Sequence, residues 1–147
     1  EAGITNTNFV SSNKAPDYGF PYDGENKGYT SFLITSIIRD NQLPGWLNAA
    51  RPDIIIMHLG TNDINIIRVY STLVDQIRAS KPNIKILVNY LTRHKPDIYY
   101  KYIVLIILEG APTKSTQASP IIIMDNFSGF NTITDTTDGK HPNNKGN

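Results

Sequence analysis

The chain has 147 residues, a formal net charge of +1, 39% hydrophobic residues and no cysteine. This length suits one domain, residues 1–147, with a sizeable core. A net charge near zero excludes a strong electrostatic field that would attract nucleic acid or an anionic membrane surface. The lack of cysteine excludes a disulfide framework, a thiol nucleophile and thiolate metal sites. The longest uncharged apolar run, Tyr102–Leu108, is too short to span a bilayer.

Short β-branched runs alternate along the chain with amphipathic segments. The runs predict strands at Asp53–Leu59, Ile84–Asn89 and Pro120–Met124, and more weakly an edge strand at Asn8–Ser11. Helices are predicted at Thr30–Asp40, ended by Leu43-Pro44-Gly45, at Ile66–Ile77, ended by Lys81-Pro82, and at Asp97–Leu108, which also fits a strand. The alternation predicts an α/β fold with a parallel sheet and helices on both faces. Ligands of such folds bind beyond the carboxyl ends of the strands.

A polar tetrad, Gly60-Thr61-Asn62-Asp63, follows the first strong strand. An Asn62 amide at that edge can donate a hydrogen bond to a developing oxyanion. The same residues also fit an ordinary strand-to-helix turn, in which Asn or Asp caps the next helix. The tetrad alone leaves both interpretations open.

A second candidate, Asp138-Gly139-Lys140-His141-Pro142, lies near the C-terminus. An aspartate three residues before a histidine can bond the imidazole, fix its tautomer and support its charged form. His141 would then be a competent general base for a hydroxyl nucleophile. The alternative is a polar tail with an Asp-Gly turn.

A third element, Gly24–Thr30, precedes these two motifs in the chain. We expect a helix to begin at Gly28, with the Gly28 backbone N–H pointing into the ligand crevice at the carboxyl ends of the strands. In this order the three elements resemble the SGNH, or GDSL, hydrolase superfamily, most closely its carbohydrate esterase branch that includes acetylxylan esterases. The resemblance implies a three-layer α/β/α, flavodoxin-like parallel sheet and needs no metal or organic cofactor. It assigns His141 as general base, Asp138 as its orienting carboxylate, and Asn62 with the Gly28 N–H as the oxyanion hole.

The family's nucleophile, a serine in Gly-Asp-Ser, has no counterpart in this sequence. Ser11 and Ser12 match the end of the family's second strand rather than the nucleophile position. The usual strand order 2-1-3-4-5 puts the unmatched first strand beside Asp53–Leu59, so we expect that strand to be open on one side. We therefore expect a domain incomplete at both ends, without its first strand and last helix. Its serine would lie on a missing N-terminal segment or a second chain, and the chain as given would be inactive.

The resemblance implies a secreted serine esterase that removes acetyl or other small acyl groups from plant cell-wall polysaccharide. The expected partner is a polysaccharide or other acylated small substrate, without nucleic acid or a membrane span. The sequon Asn126-Phe127-Ser128 fits secretion. The alternatives are a non-catalytic carbohydrate-binding or structural protein on the same scaffold, and a plain α/β domain. Of the other histidines, His58 is interpreted as a mid-strand residue that lies in the core or supports the site from behind. His94 is interpreted as part of a solvated loop, with the border of the substrate crevice as the alternative.

Overall fold

The computed structural model describes residues 6–17, 19–29, 31–59, 66–90, 110, 112–126, 129–138, 143 and 145. A short antiparallel hairpin comes first, formed by β1 (Asn13–Lys14) and β2 (Glu25–Asn26). The remaining elements, in chain order, are α1 (Ile34–Arg39), α2 (Gln42–Ala50), β3 (Ile54–Met57), α3 (Ile66–Ser80), β4 (Lys85–Tyr90), β5 (Ile121–Asp125) and α4 (Thr132–Asp135).

Strands β3, β4 and β5 form a parallel sheet in that order. The register aligns Met57 with Val88, and Val88 with Ile123. These strands match the three strong strand predictions, so the expected parallel α/β architecture is confirmed. None of the helices in the described part of the chain is both long enough and apolar enough to cross a membrane.

The core lies between one face of the sheet and helices α1 to α3. Ile86 and Val88 on β4 are buried in one cluster with Leu73 and Ile77 of α3. The predicted helical face is confirmed because Tyr70, Leu73, Val74 and Ile77 are all buried. Helix α3 ends at Ser80, just before Lys81-Pro82, as proline's lack of an N–H predicts.

The first predicted helix, Thr30–Asp40, begins too early, although its predicted end is within one residue of the observed end at Arg39. Ser31 has a left-handed φ of 60°, which a right-handed helix cannot include, and α1 begins only at Ile34. The break comes at Asn41, with φ 48°, rather than at Leu43-Pro44-Gly45. Pro44 lies in the first turn of α2, where its missing N–H would have no partner within the helix.

The predicted strand at Asn8–Ser11 is also wrong. Backbone donors in this segment bond to carboxylates of the hairpin instead of to a neighbouring strand. The Phe9 N–H donates to Asp23 Oδ2 at 2.6 Å, and the Ser11 N–H donates to Glu25 Oε2 at 2.9 Å. The predicted element at Asp97–Leu108 falls outside the described residues.

Strand β3 is an edge of the sheet as far as the structure describes the chain, since β4 is its one partner strand there. Ile54 and Ile56 on β3 are 49% and 55% exposed, on the face opposite the core. The described helices α1, α2 and α3 contact one another over the other face. The described part of the chain is therefore a parallel sheet with helices packed on one face, consistent with the α/β/α fold that the sequence predicts.

Candidate active site

The carboxyl ends of β3, β4 and β5 meet at one edge of the sheet, where a parallel fold binds its ligands. The chain leaves this edge through His58 and Leu59 after β3 and through Asn126 after β5. Asn62 follows β3 by five positions and His141 lies near the C-terminus, but both fall outside the described residues. Of the four predicted site residues, the structure describes Gly28 and Asp138.

Gly28 lies directly after the hairpin, and neighbouring side chains hold both of its peptide groups. Its N–H donates to Asn26 Oδ1 at 2.9 Å, and its carbonyl accepts from Asn13 Nδ2 at 3.0 Å. The bond to Asn26 is an Asx turn, in which an asparagine side chain bonds the backbone two residues on. An oxyanion that used the Gly28 N–H would have to replace the Asn26 oxygen. The oxyanion role of Gly28 stays a prediction.

The expectation that Gly28 opens a helix is wrong, because α1 begins six positions later at Ile34. A close approach favours glycine at this position. A β-carbon at this position would lie 3.0 Å from Asn26 Oδ1, tighter than ordinary van der Waals contact. The absence of a side chain therefore lets Asn26 close its turn over the Gly28 N–H.

Asp138 lies in a segment that starts just after α4, and Asn143 fastens the far end of that segment to the helix. The Asn143 N–H donates to the Asp135 carbonyl at 2.9 Å. Its side-chain Nδ2 donates to the Thr134 carbonyl at 3.0 Å and to the Thr136 carbonyl at 3.1 Å. The two ends of residues 136–143, which include Asp138 and His141, are thus held together.

Helix α4 is itself capped by reciprocal bonds. Asn131 Oδ1 accepts from the Ile133 N–H at 2.9 Å, and Asp135 Oδ2 accepts from the Asn131 N–H at 2.8 Å. The Thr134 hydroxyl, the Asn131 N–H and Lys145 all stabilise the Asp135 carboxylate, which lowers its pKa from 3.8 to about 2. These bonds stabilise the four-residue helix α4, which directly precedes the segment that contains Asp138.

Neither of the two serines near the hairpin is arranged as an activated nucleophile. The Ser12 hydroxyl accepts from Lys27 Nζ at 2.5 Å, and Ser11 uses its backbone N–H to bind Glu25. The Lys27 ammonium lies over two aromatic rings, which attract a cation. An ammonium has no lone pair with which to take a hydroxyl proton. The local chemistry therefore agrees with placing the nucleophile elsewhere.

His58 is not a mid-strand core residue, because β3 ends at Met57 and the His58 side chain is exposed. Partial desolvation by neighbouring protein atoms still lowers its pKa below 6.5. In the part of the chain that the structure describes, no group of three or more histidine, aspartate or glutamate side chains could hold a metal ion. His94 falls outside the described residues.

A groove of about 440 Å³ lies at the opposite edge of the sheet, between α3 and residues 114–119. Arg78 lines the groove and donates to the carbonyls of Ile84 and Ser119, which precede β4 and β5. Lys114 also lines it and is paired with Asp75. Because these cations already have protein partners at the amino ends of the strands, we assign the groove a structural role.

Three asparagines position the described site residues and were missed in the sequence. Asn13 and Asn26 fix the Gly28 peptide, and Asn143 closes the Asp138 segment. The spacing Asn26-Lys27-Gly28 is typical of an Asx turn and could have indicated the first bond. Asn13 and Asn143 act across 15 and 7 residues, for which no local pattern exists.

Comparison with solved structures identifies related folds. One is a crystal structure of an acetyl esterase with a serine-to-alanine substitution and an acetate ion, and another is a carbohydrate esterase family 3 structure from Talaromyces cellulolyticus. Each is 28% identical to this chain and superposes with a TM-score of 0.81. Each alignment covers 95% of this chain and 74% of the other.

A family 3 carbohydrate esterase from Clostridium thermocellum, 24% identical over 95% of this chain and 72% of its own, has a TM-score of 0.79 and bears on the fold alone. No protein-family model and no curated protein matches the sequence. The resemblance read from Gly28, Asn62, Asp138 and His141 is nevertheless confirmed at the level of the fold. The chain has the SGNH hydrolase fold of carbohydrate esterase family 3 structures, and this fold provides an esterase-like scaffold.

Proposed function

We propose that this chain forms most of a secreted serine esterase that removes acetyl or other small acyl groups from plant cell-wall polysaccharide. The observation that carries the proposal is the likeness to an acetyl esterase and a carbohydrate esterase at 28% identity over 95% of the chain. The ordered motifs around Gly28, Asn62 and His141 add support, since they fall in the order of that family.

The proposed reaction is acyl transfer through a nucleophilic serine. The family carries this serine in a Gly-Asp-Ser motif, which this sequence does not contain. The serine Oγ attacks the ester carbonyl carbon while His141 takes its proton, with Asp138 orienting the imidazole. Asn62 and the Gly28 N–H stabilise the tetrahedral oxyanion. His141 then returns the proton to the departing sugar hydroxyl, and water hydrolyses the acyl-serine by the reverse route.

Two variants test these roles in the native material, with acetate release from acetylated xylan as the readout. His141→Ala removes the general base, so we expect most activity to be lost. Asn62→Ala removes one oxyanion donor and should lower the rate on the order of 10²–10³. Asn48→Ala, an exposed position on α2, is the matched control and should leave the rate unchanged. Full activity in His141→Ala would refute the assignment.

A non-catalytic carbohydrate-binding or structural role is favoured by one observation, the absence of Gly-Asp-Ser. A fluorophosphonate probe separates the two functions, because it labels only an activated serine. Labelling of the native material, with an intact mass above 16.4 kDa, supports the esterase and locates its serine outside this sequence. An unlabelled protein with a mass of 16.4 kDa supports the non-catalytic role.

A further inference from the structure

Three aromatic rings cluster directly beside Gly28. The rings of Tyr29 and Phe32 have centroids 4.9 Å apart, those of Tyr29 and Trp46 6.0 Å apart, and those of Phe32 and Trp46 6.4 Å apart. The three interplanar angles are 33°, 31° and 33°, so no ring stands perpendicular to another. We call these three residues the aromatic shelf.

The aromatic shelf packs against the core on one side and is exposed to solvent at Tyr29. Phe32 and Trp46 are partly buried and pack against the core cluster between the sheet and α1 to α3. Tyr29 is not part of that cluster and is 44% exposed. An exposed tyrosine on a rigid aromatic support provides apolar contact area with little further loss of side-chain freedom on binding.

Lys27 adds a hydrogen-bond donor to this surface. Its Nζ lies 4.9 Å from the Trp46 ring centroid and 5.6 Å from that of Tyr29, and it donates to Ser12 Oγ at 2.5 Å. Among the described residues, no carboxylate lies within salt-bridge distance of this ammonium. An ammonium has three N–H donors, and the bond to Ser12 uses one of them.

The chemistry of the shelf fits a sugar ring. A pyranose has an apolar C–H face, which packs on an aromatic ring, and hydroxyls around its rim, which accept hydrogen bonds from a lysine. The place of the shelf fits as well, because Lys27 and Tyr29 are the two neighbours of Gly28 in the chain. A sugar on Tyr29 would lie one residue from the predicted oxyanion donor, whose peptide Asn13 and Asn26 hold in place.

We propose that Tyr29, Phe32, Trp46 and Lys27 form a subsite that binds one sugar ring of the polysaccharide beside the acylated ring. This subsite deepens the proposed esterase function and rests on it for the identity of the ligand. The role of Tyr29 is to stack on the C–H face, and that of Lys27 is to donate to rim hydroxyls.

The chain offers a direct probe, because Trp46 is its single tryptophan and belongs to the shelf. The experiment titrates the chain with unacetylated xylohexaose and follows tryptophan fluorescence. We expect a saturable change in emission. Tyr29→Ala should weaken the apparent Kd by about 2- to 12-fold, as loss of one aromatic contact predicts. Tyr29→Phe keeps the ring and should bind like the parent chain.

Phe9→Ala is the matched control, since Phe9 is 48% exposed but lies outside the shelf. Lys27→Met tests the donor separately and should also weaken binding while leaving the rings in place. An unchanged emission across the titration overturns the subsite. An equal loss in Tyr29→Ala and Phe9→Ala does so too, and circular dichroism of each variant verifies that it is folded.

Acetate release by the native material distinguishes failure of the subsite from failure of the proposed function. Hydrolysis of acetylated xylan without any fluorescence response overturns the subsite and leaves the esterase intact. A saturable response in material that releases no acetate and takes no fluorophosphonate supports the subsite on a non-catalytic scaffold.

Discussion

Removal of the Asn143 side chain should loosen the segment that carries Asp138 and His141. Asn143→Ala deletes the bonds from Nδ2 to the carbonyls of Thr134 and Thr136, at 3.0 and 3.1 Å, which close the segment. It also deletes the bond from the Lys145 N–H to Oδ1 at 2.9 Å, which lies beyond the segment and is not counted in its closure. Each closing bond contributes a net ~0.5–1.5 kcal/mol, so the closed segment should lose about 1–3 kcal/mol relative to its open form. Since 1.36 kcal/mol is tenfold in an equilibrium constant, the open population should rise roughly 5- to 150-fold.

Amide hydrogen exchange measures this opening directly. The backbone N–H at position 143 donates to the Asp135 carbonyl at 2.9 Å and is kept in Asn143→Ala. Its protection should fall by the same roughly 5- to 150-fold, while amides of the buried strand β4 keep theirs. Asn48→Ala on the exposed face of α2 serves as the matched control. Unchanged protection at position 143 would refute the view that this side chain closes the segment.

Two further predictions concern the core and pH. Ile77 is fully buried and Ile133 is 90% exposed, so Ile77→Ala should lower the free energy of unfolding by about 2–5 kcal/mol in denaturant titrations and Ile133→Ala should leave it nearly unchanged. Equal effects would contradict the placement of the core. The Asp135 carboxyl, with its pKa lowered from 3.8 to about 2, should titrate near that value by NMR. Its contribution to stability is present above its unfolded pKa and is lost as pH falls through about 2, a loss that Asp135→Asn should lack.

The elements that sequence predicts best are those whose burial dictates their composition. Strands buried in a parallel sheet need continuous β-branched residues, so Ile54–Met57, Lys85–Tyr90 and Ile121–Asp125 are evident from the residues alone. Helix α3 shows one apolar face and a proline beyond its end. In each case the signal is repeated over several positions.

The sequence-based predictions fail where a single residue, or a contact between residues far apart in the sequence, determines the local structure. Pro44 reads as a break, yet in the first turn of α2 it has no N–H bond to lose. Asn8–Ser11 reads as a strand, yet its amides bond to Asp23 and Glu25 across 14 residues. The aromatic shelf is similar, since Tyr29 and Trp46 lie on opposite sides of α1 in the sequence and come into contact only in the tertiary structure. Tertiary contacts of this kind leave no periodic signal.

The described parts of the candidate site are held by hydrogen bonds within two separate segments of the chain. Gly28 is fixed from within residues 13–28, and the Asp138 segment is fixed from within residues 131–145. Bonds within one such segment close shorter loops than contacts across the whole domain, so they cost less chain entropy. Strand β3, by contrast, is an edge strand within the described residues and carries Ile54 and Ile56 exposed on one face. A change at that edge should therefore alter the stability of the sheet while the internal geometry of both site segments persists, because each contains the side chains that hold it.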